Sequence, residues 1–177
     1  MGPTLLIASP QAHDPFFERT VVLVWHHDEN GAIGVVVNRT LAHSLADVID
    51  LTDAEEAGAA LAVIGWGGPV EGTSGTVLTR AVVEDDEGWN LPEGIGITRS
   101  QEQMRTLLKL RQPITLLLGY AGWGPGQLDR EIAEGGWLWT DADPSLVFDT
   151  PAADRYDRAL ATLGLDEAQV WMAPVDE

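Results

Sequence analysis

Cysteine is missing from all 177 residues, and that one absence rules out disulfides, thiolate nucleophiles and sulfur-ligated zinc or iron–sulfur centres. Basic residues are scarce as well. Ten Lys plus Arg stand against 28 Asp plus Glu, giving a formal charge of −18 and a sequence pI near 4.3. A surface of that sign is repelled by phosphate backbones and anionic lipid, so neither direct nucleic-acid binding nor membrane binding is expected. No apolar run approaches the roughly 18 residues of a membrane-spanning helix. The first ten residues, Met1 to Pro10, lack a basic region and carry too short an apolar run for a signal peptide. With no cysteine to protect, the expected location is the cytoplasm. The phosphate loop GxxxxGK[ST] and the metalloprotease helix HExxH are absent, and Gly72-Thr73-Ser74-Gly75 is not the GxSxG nucleophile elbow.

What remains is 45% hydrophobic, enough for a single compact domain over residues 1–177 that buries roughly 70% of its unfolded surface. Leu5 to Ala8 reads as a short strand, and Thr20 to Trp25 and Ile33 to Asn38 as two β-branched strands. Asn30-Gly31 between the latter two is a strong hairpin signal. Ser44 and Asp53 are placed to open short helices, and Ala62 to Trp66 and Thr76 to Val83 look like strands around a Gly67-Gly68-Pro69 turn. Glu84 to Glu87 is an acidic loop tip. Ser100 with Gln103 forms a capping-box pattern for a helix carrying Met104, Leu107 and Leu108 on one side, ended by Pro113. Trp137 to Thr140 reads as a strand with both tryptophans on one face, and Thr150-Pro151 opens a helix through Leu163 with Gly164 as its cap. A last strand is expected over Gln169 to Met172. Strands crowd the first half and helices interrupt the second without strict alternation. That pattern predicts an α+β fold with a mixed or antiparallel, partly barrel-like sheet and flanking helices.

The most distinctive segment is Gly119-Tyr120-Ala121-Gly122-Trp123-Gly124-Pro125-Gly126-Gln127-Leu128. It reads as strand, glycine turn, helix: the apolar run Ile114 to Leu118 precedes it, Pro125 suits a first helical position, and Gly135 suits the stop. Such a corner either packs tightly or cradles a ligand. The absence of a following Lys and the acidic helix with Asp129, Glu131 and Glu134 speak against phosphate. Trp123 is then either a core anchor or, if exposed, an interface anchor. His26, His27 and Asp28, with His13 and Asp14 upstream, could supply ligands or an acid–base pair, but neighbouring strand residues point to opposite faces and no third ligand follows, so no metal site is assigned. The simpler reading has one surface histidine and one hydrogen-bonded across the hairpin. Asn38 either presents a polar group to a ligand or makes a local turn bond.

Ile7-Ala8-Ser9-Pro10, Asp14-Pro15-Phe16-Phe17-Glu18-Arg19, Gly31 to Arg39, Gly67-Gly68-Pro69-Val70 and Gly119 to Leu128, in that order and spacing, resemble the bacterial AlgH/YqgE family, also called UPF0301. The resemblance extends nearly end to end, through Leu146-Val147-Phe148-Asp149. It implies a small cytoplasmic α+β domain with a barrel-like sheet and no established cofactor. Members are often labelled transcriptional regulators, on a genetic association with alginate production; this chain has no basic patch or recognition helix for direct DNA contact. Two departures stand out. His26-His27 replaces the family's Glu-His, and Thr79 stands where a His is frequent, which weakens the case for a shared enzyme.

The reading that follows is a non-catalytic, cytosolic regulatory domain with a protein partner and no cofactor. Its working surface is expected around Asp14, His27, Asn38, Trp123, Gln127 and Glu131. The alternative is a small-molecule enzyme or sensor using an Asp–His pair near the first hairpin, with Asn38 or Gln127 orienting the ligand. A concave pocket with Asp14 against His27 would favour the latter; a flat apolar patch around Trp123 would favour the former.

Overall fold

The computed structural model describes residues 3–10, 14–84, 86 and 88–165. In chain order the strands and helices are β1 (Thr4–Ala8), β2 (Val21–Asp28), β3 (Gly31–Val36), α1 (Asp53–Ala59), β4 (Val63–Trp66), β5 (Val70–Thr79), β6 (Trp89–Leu91), β7 (Ile95–Thr98), α2 (Gln101–Lys109), β8 (Ile114–Trp123), α3 (Gln127–Ala133), β9 (Trp137–Asp141) and α4 (Arg155–Thr162). The class is α+β, as the sequence predicts. The chain forms two compact units, residues 1–38 with 121–177 and residues 39–120. Strand β8 contributes Ala121 to Trp123 to the first and Ile114 to Tyr120 to the second. Among the described residues no helix is long and apolar enough to cross a membrane.

In the first unit the strands run β8–β3–β2–β1–β9, each antiparallel to its neighbour. Leu5, Leu6, Ile7 and Val21 to Val24 are buried without alternation, as in strands covered on both faces. Helix α4 sets Tyr156, Ala159 and Leu160 inward, and the Tyr156 hydroxyl donates to the Ala8 carbonyl at 2.6 Å. Asn30-Gly31 makes the expected hairpin. Gly31 is also required by a neighbour: at φ 133°, a Cβ on it would lie 2.2 Å from the Trp123 carbonyl oxygen. Register slips between Val24 and His26, so Trp25 sits in a bulge. Beyond it His26 is exposed and His27 is buried, on opposite faces as strand geometry requires.

In the second unit the order is β6–β7–β5–β8, with β4 parallel on β8. Met104, Leu107 and Leu108 of α2 pack with Leu45, Ile64, Val77, Ile114 and Leu116 into one core. Ser100 caps α2 by accepting from the Gln103 N–H at 3.1 Å. The Gln103 side chain does not complete the box; it accepts from the Glu84 N–H instead.

Several expected boundaries move. The glycine-rich segment is mostly strand, because β8 continues through Gly119 to Trp123, where cross-strand pairing outweighs glycine's local weakness. Gly119, at φ 78°, is needed because a Cβ there would meet the Gly68 carbonyl oxygen at 2.2 Å. The turn is confined to Gly124 to Gly126, and Gly126, not Pro125, opens α3 from a left-handed conformation. Helix α1 is capped by Thr52 with Glu55 rather than by Asp53, and the short helix after Ser44 is a single 3₁₀ turn, Leu45–Asp47. Strand β5 ends at Thr79, and β6–β7 form a hairpin that the sequence reading left out. The helix expected from Thr150 through Leu163 is broken into a 3₁₀ turn (Ala152–Asp154) and α4, and a π turn (Ser145–Asp149) that the sequence reading left out precedes it. The strand expected over 169–172 lies outside the described residues, as does His13.

Candidate functional site

Asp14 begins the site by folding the loop after β1. Its Oδ1 accepts from the backbone N–H of Phe16 and Phe17 at 2.8 and 3.2 Å, and its carbonyl accepts from the Glu18 N–H. This is an Asx-type turn, in which a short carboxylate replaces a backbone acceptor. The turn presents Phe17 and Glu18 together. Its far end is tied down by Asn38, whose Nδ2 donates to the Arg19 carbonyl and whose Oδ1 accepts from the Val21 N–H, both at 2.9 Å. Asn38 therefore bonds across the hairpin to residues 17 and 19 positions away rather than making a local turn bond, and clamps β2 to the end of β3.

Opposite the turn, Trp123 ends β8 and Trp137 begins β9, each only 6% exposed. Their ring centroids are 6.1 Å apart and nearly perpendicular. Phe17 joins both, near-parallel to Trp123 at 6.4 Å and edge-on to Trp137 at 5.6 Å. Such edge and offset arrangements suit aromatic quadrupoles. Helix α3 supplies the polar centre. Glu131 Oε1 accepts from the Trp123 Nε1–H at 3.1 Å and from the Trp137 Nε1–H at 3.0 Å, while Oε2 accepts from Gln127 Nε2 at 2.9 Å. Gln127 Oε1 accepts in turn from the Gly124 N–H at 2.9 Å. One carboxylate thus joins two strands, a turn and a helix through neutral donors.

These groups surround a cavity of about 450 Å³ within the first unit. Phe17, Trp123 and Trp137 form its aromatic wall; Asp14, Glu18, Glu131 and Glu134 bring four acidic side chains; Ala8, Gly122, Gly135 and Gly136 leave its remaining wall bare. Among the described residues no Lys, Arg, His, Ser or Thr lines it. Glycine at 135 also ends α3, at φ 82°, so the helix stop expected from the sequence shapes the cavity too.

Of the six residues expected to share a surface, Asp14, Trp123, Gln127 and Glu131 converge on this cavity. His27 and Asn38 do not line it. The imidazole of His27 is 7% exposed, with Nε2 3.2 Å from Asp129 Oδ1 of α3 and Nδ1 buried without a partner among the described residues. The carboxylate beside His27 is therefore that of Asp129 on α3, not that of Asp14. His26 instead meets Asp28 at 2.9 Å on the surface. The Asp28 carboxyl is held below its ordinary range chiefly by the Asn30 N–H, with His26 adding to the effect. Among the described residues no three His, Asp or Glu side chains gather where they could hold a metal ion. Sequence reasoning missed Phe17, Glu18, Glu134 and Trp137 as site residues. The Asp14-to-Arg19 motif contained the first two, but nothing in the spacing placed that loop against β9.

A family model described as AlgH-like matches residues 5–168. A UPF0301 protein of Chromobacterium violaceum is 36% identical over 165 residues, covering 91% of this chain and 89% of its own. One from Ralstonia nicotianae is 38% identical over 169 residues, covering 93% and 89%. Among solved structures, the AlgH protein of Pseudomonas aeruginosa matches with a TM-score of 0.77 and 31% identity over 99% of this chain and 95% of its own. A Corynebacterium diphtheriae protein matches in fold with a TM-score of 0.73 at 23% identity, over 91% of this chain and 86% of its own.

Proposed function

The chain belongs to the AlgH-like, UPF0301 family, and from that premise we propose that it is a non-catalytic regulatory domain that recognises a protein partner through the Phe17–Trp123–Trp137 cavity. The observation that carries this reading is the lining. A concave site with three aromatic rings and four acidic residues has strong means of recognition. Among the described residues that line it there is no imidazole, amine or hydroxyl to act as nucleophile or proton shuttle. The enzyme reading needed an Asp–His pair at the floor of a pocket. His27 spends its Nε2 on Asp129 and stays outside the lining. Any influence on transcription is then indirect, through the partner, because the charge of −18 opposes contact with DNA.

The test uses Glu134→Lys, which reverses a charge at an exposed lining position and leaves the packed rings alone. Wild type and variant are immobilised and their captured proteins from native cytosol are compared quantitatively, with Val82→Ser, a change at an exposed residue outside the lining, as control. Selective loss of the same proteins from Glu134→Lys alone is expected. Equal recovery on all three baits, with folds intact, overturns the reading.

A further inference from the structure

The segment Gly72-Thr73-Ser74-Gly75 is no nucleophile elbow, but its alternation builds a second cavity, formed entirely by residues of the second unit. Successive side chains of a strand take opposite faces, so Thr73, Gly75 and Val77 of β5 share one face and line it. Strand β8 runs alongside, with Leu118 opposite Gly75 and Leu116 opposite Val77. Met104 of α2 completes the floor with Val77 and Leu116, all three buried. The open walls are Ile49 and Leu118, both half-buried, and Val48, which is 38% exposed. Glycine at 75 keeps one side bare, since a Cβ there would press on Leu116 Cδ1 at 2.8 Å.

The volume is about 310 Å³, at the small end of the range for small-molecule sites. Among the described residues that line it, Arg99 is the one charged side chain and no acid is present. In a chain with 28 acids and ten bases, that reverses the average surface. The guanidinium lies over the Tyr120 ring, 5.1 Å from its centroid, and makes no hydrogen bond among the described residues. Its nearest carboxylate is Glu71 at 4.0 Å, itself 62% exposed, and a surface ion pair of that length yields readily to a better acceptor. A guanidinium stacked by its face keeps the donors along its edge, in a fork that matches the two oxygens of a carboxylate. The apolar walls match a tail. A second negative charge on the head would gain little from one Arg and would be repelled by the net −18, so a monoanion suits the site better than a phosphate monoester. An organic cation would meet Arg99 with no lining carboxylate to offset it.

We infer that this second cavity binds a small amphipathic carboxylate, a monocarboxylic acid with an apolar tail, its head on Arg99 and its tail along Val48, Ile49 and Leu118 toward Met104. Thr73, Ser100 and Gln101 supply the remaining polar lining. The site shares no lining residue with the Phe17–Trp123–Trp137 cavity and does not depend on the partner role proposed for it.

The experiment follows the Met104 methyl resonance of the full chain carrying ¹³C-methyl methionine, assigned through Met104→Leu. The probes are hexanoate, octanoate, octanol, octylamine and octyl phosphate, titrated at about 150 mM salt so that distant charges are screened. Octanoate should shift the signal saturably, with octanol at least about tenfold weaker for want of a charge-assisted bond. Two more buried methylenes should make octanoate about tenfold tighter than hexanoate. Arg99→Gln should weaken octanoate about tenfold and leave octanol unchanged. Thr73→Glu, which sets an acid at an exposed lining position, should weaken octanoate too, and keeps the test open if Arg99→Gln fails to fold. Glu71→Gln removes the competing carboxylate and should bind octanoate at least as tightly as wild type. An unchanged Tm and an unshifted Met104 signal without probe certify each variant. Octanoate binding that survives a folded Arg99→Gln intact overturns the inference, as does octylamine matching octanoate, octyl phosphate exceeding it, or no Met104 shift at all. Octanol matching octanoate overturns it as well, in favour of an apolar side chain from a partner. Glu134 lies outside this lining, so the capture result on Glu134→Lys stands or falls separately.

Discussion

Glu131 shows how much one side chain can organise. Removing its carboxylate would leave two nearly buried indole N–H donors without acceptors, and an unsatisfied buried donor costs about 1–3 kcal/mol. Glu131→Ala should therefore lower unfolding stability by about 2–5 kcal/mol in urea titration. Glu131→Gln should cost less, since an amide oxygen still accepts from both rings. Equal stability of Glu131→Ala and wild type would mean the indoles find other acceptors. Trp123 resolves a question the sequence left open between core and interface. It is 6% exposed, so it packs in the core, and it also lines the cavity through which partner recognition is proposed. Its truncation would cost about 3–5 kcal/mol of core packing, which makes it a poor probe of binding alone. Gly31 is the other decisive residue. Gly31→Ala places a Cβ on the Trp123 carbonyl at φ 133°, so the variant should melt well below wild type, and an unchanged Tm would refute the close approach of β3 and β8.

At the scale of elements, the Ser100 and Gly135 caps were legible, whereas the caps that open α1 and α3 and the interruptions were not. Ser100 and Gly135 obey local rules that a sequence displays, because a helix end needs an acceptor or a left-handed residue wherever it lies. The continuation of β8 through its glycines was hidden, since pairing with β3 and β5 decides it. The cap of α1 gives a pH prediction. The Glu55 carboxyl, 1% exposed, is held below its ordinary 4.5 first by the Thr52 N–H and then by Arg105, whose Nη1 lies 2.6 Å away. A carboxylate with a depressed folded pKa stabilises the fold above its unfolded pKa, and that contribution disappears as pH falls through the folded one. Denaturant midpoints of wild type should thus fall from pH 6 to pH 3, whereas Glu55→Gln should start lower and fall less. Parallel curves would exclude Glu55 as a source of the acid sensitivity.

For the whole molecule, composition argues through charge. With −18 formal units the chain should show no retention on duplex DNA in a mobility-shift titration at about 150 mM salt, and salt-sensitive retention there would overturn the indirect role in transcription. The sequence by itself determined the α+β class, the family, the Asn30-Gly31 hairpin and the anionic character, because each rests on local pattern, ordered motifs or a sum over residues. It also named Asp14, Trp123, Gln127 and Glu131. Only the tertiary structure decided that these four meet Phe17, Glu18, Glu134 and Trp137 around one cavity, that Asn38 is a clamp, and that His27 turns to Asp129. The physical reason is distance along the chain. Trp137 reaches the loop at Phe17 because β9 pairs with β1, and no periodicity within either segment encodes that pairing.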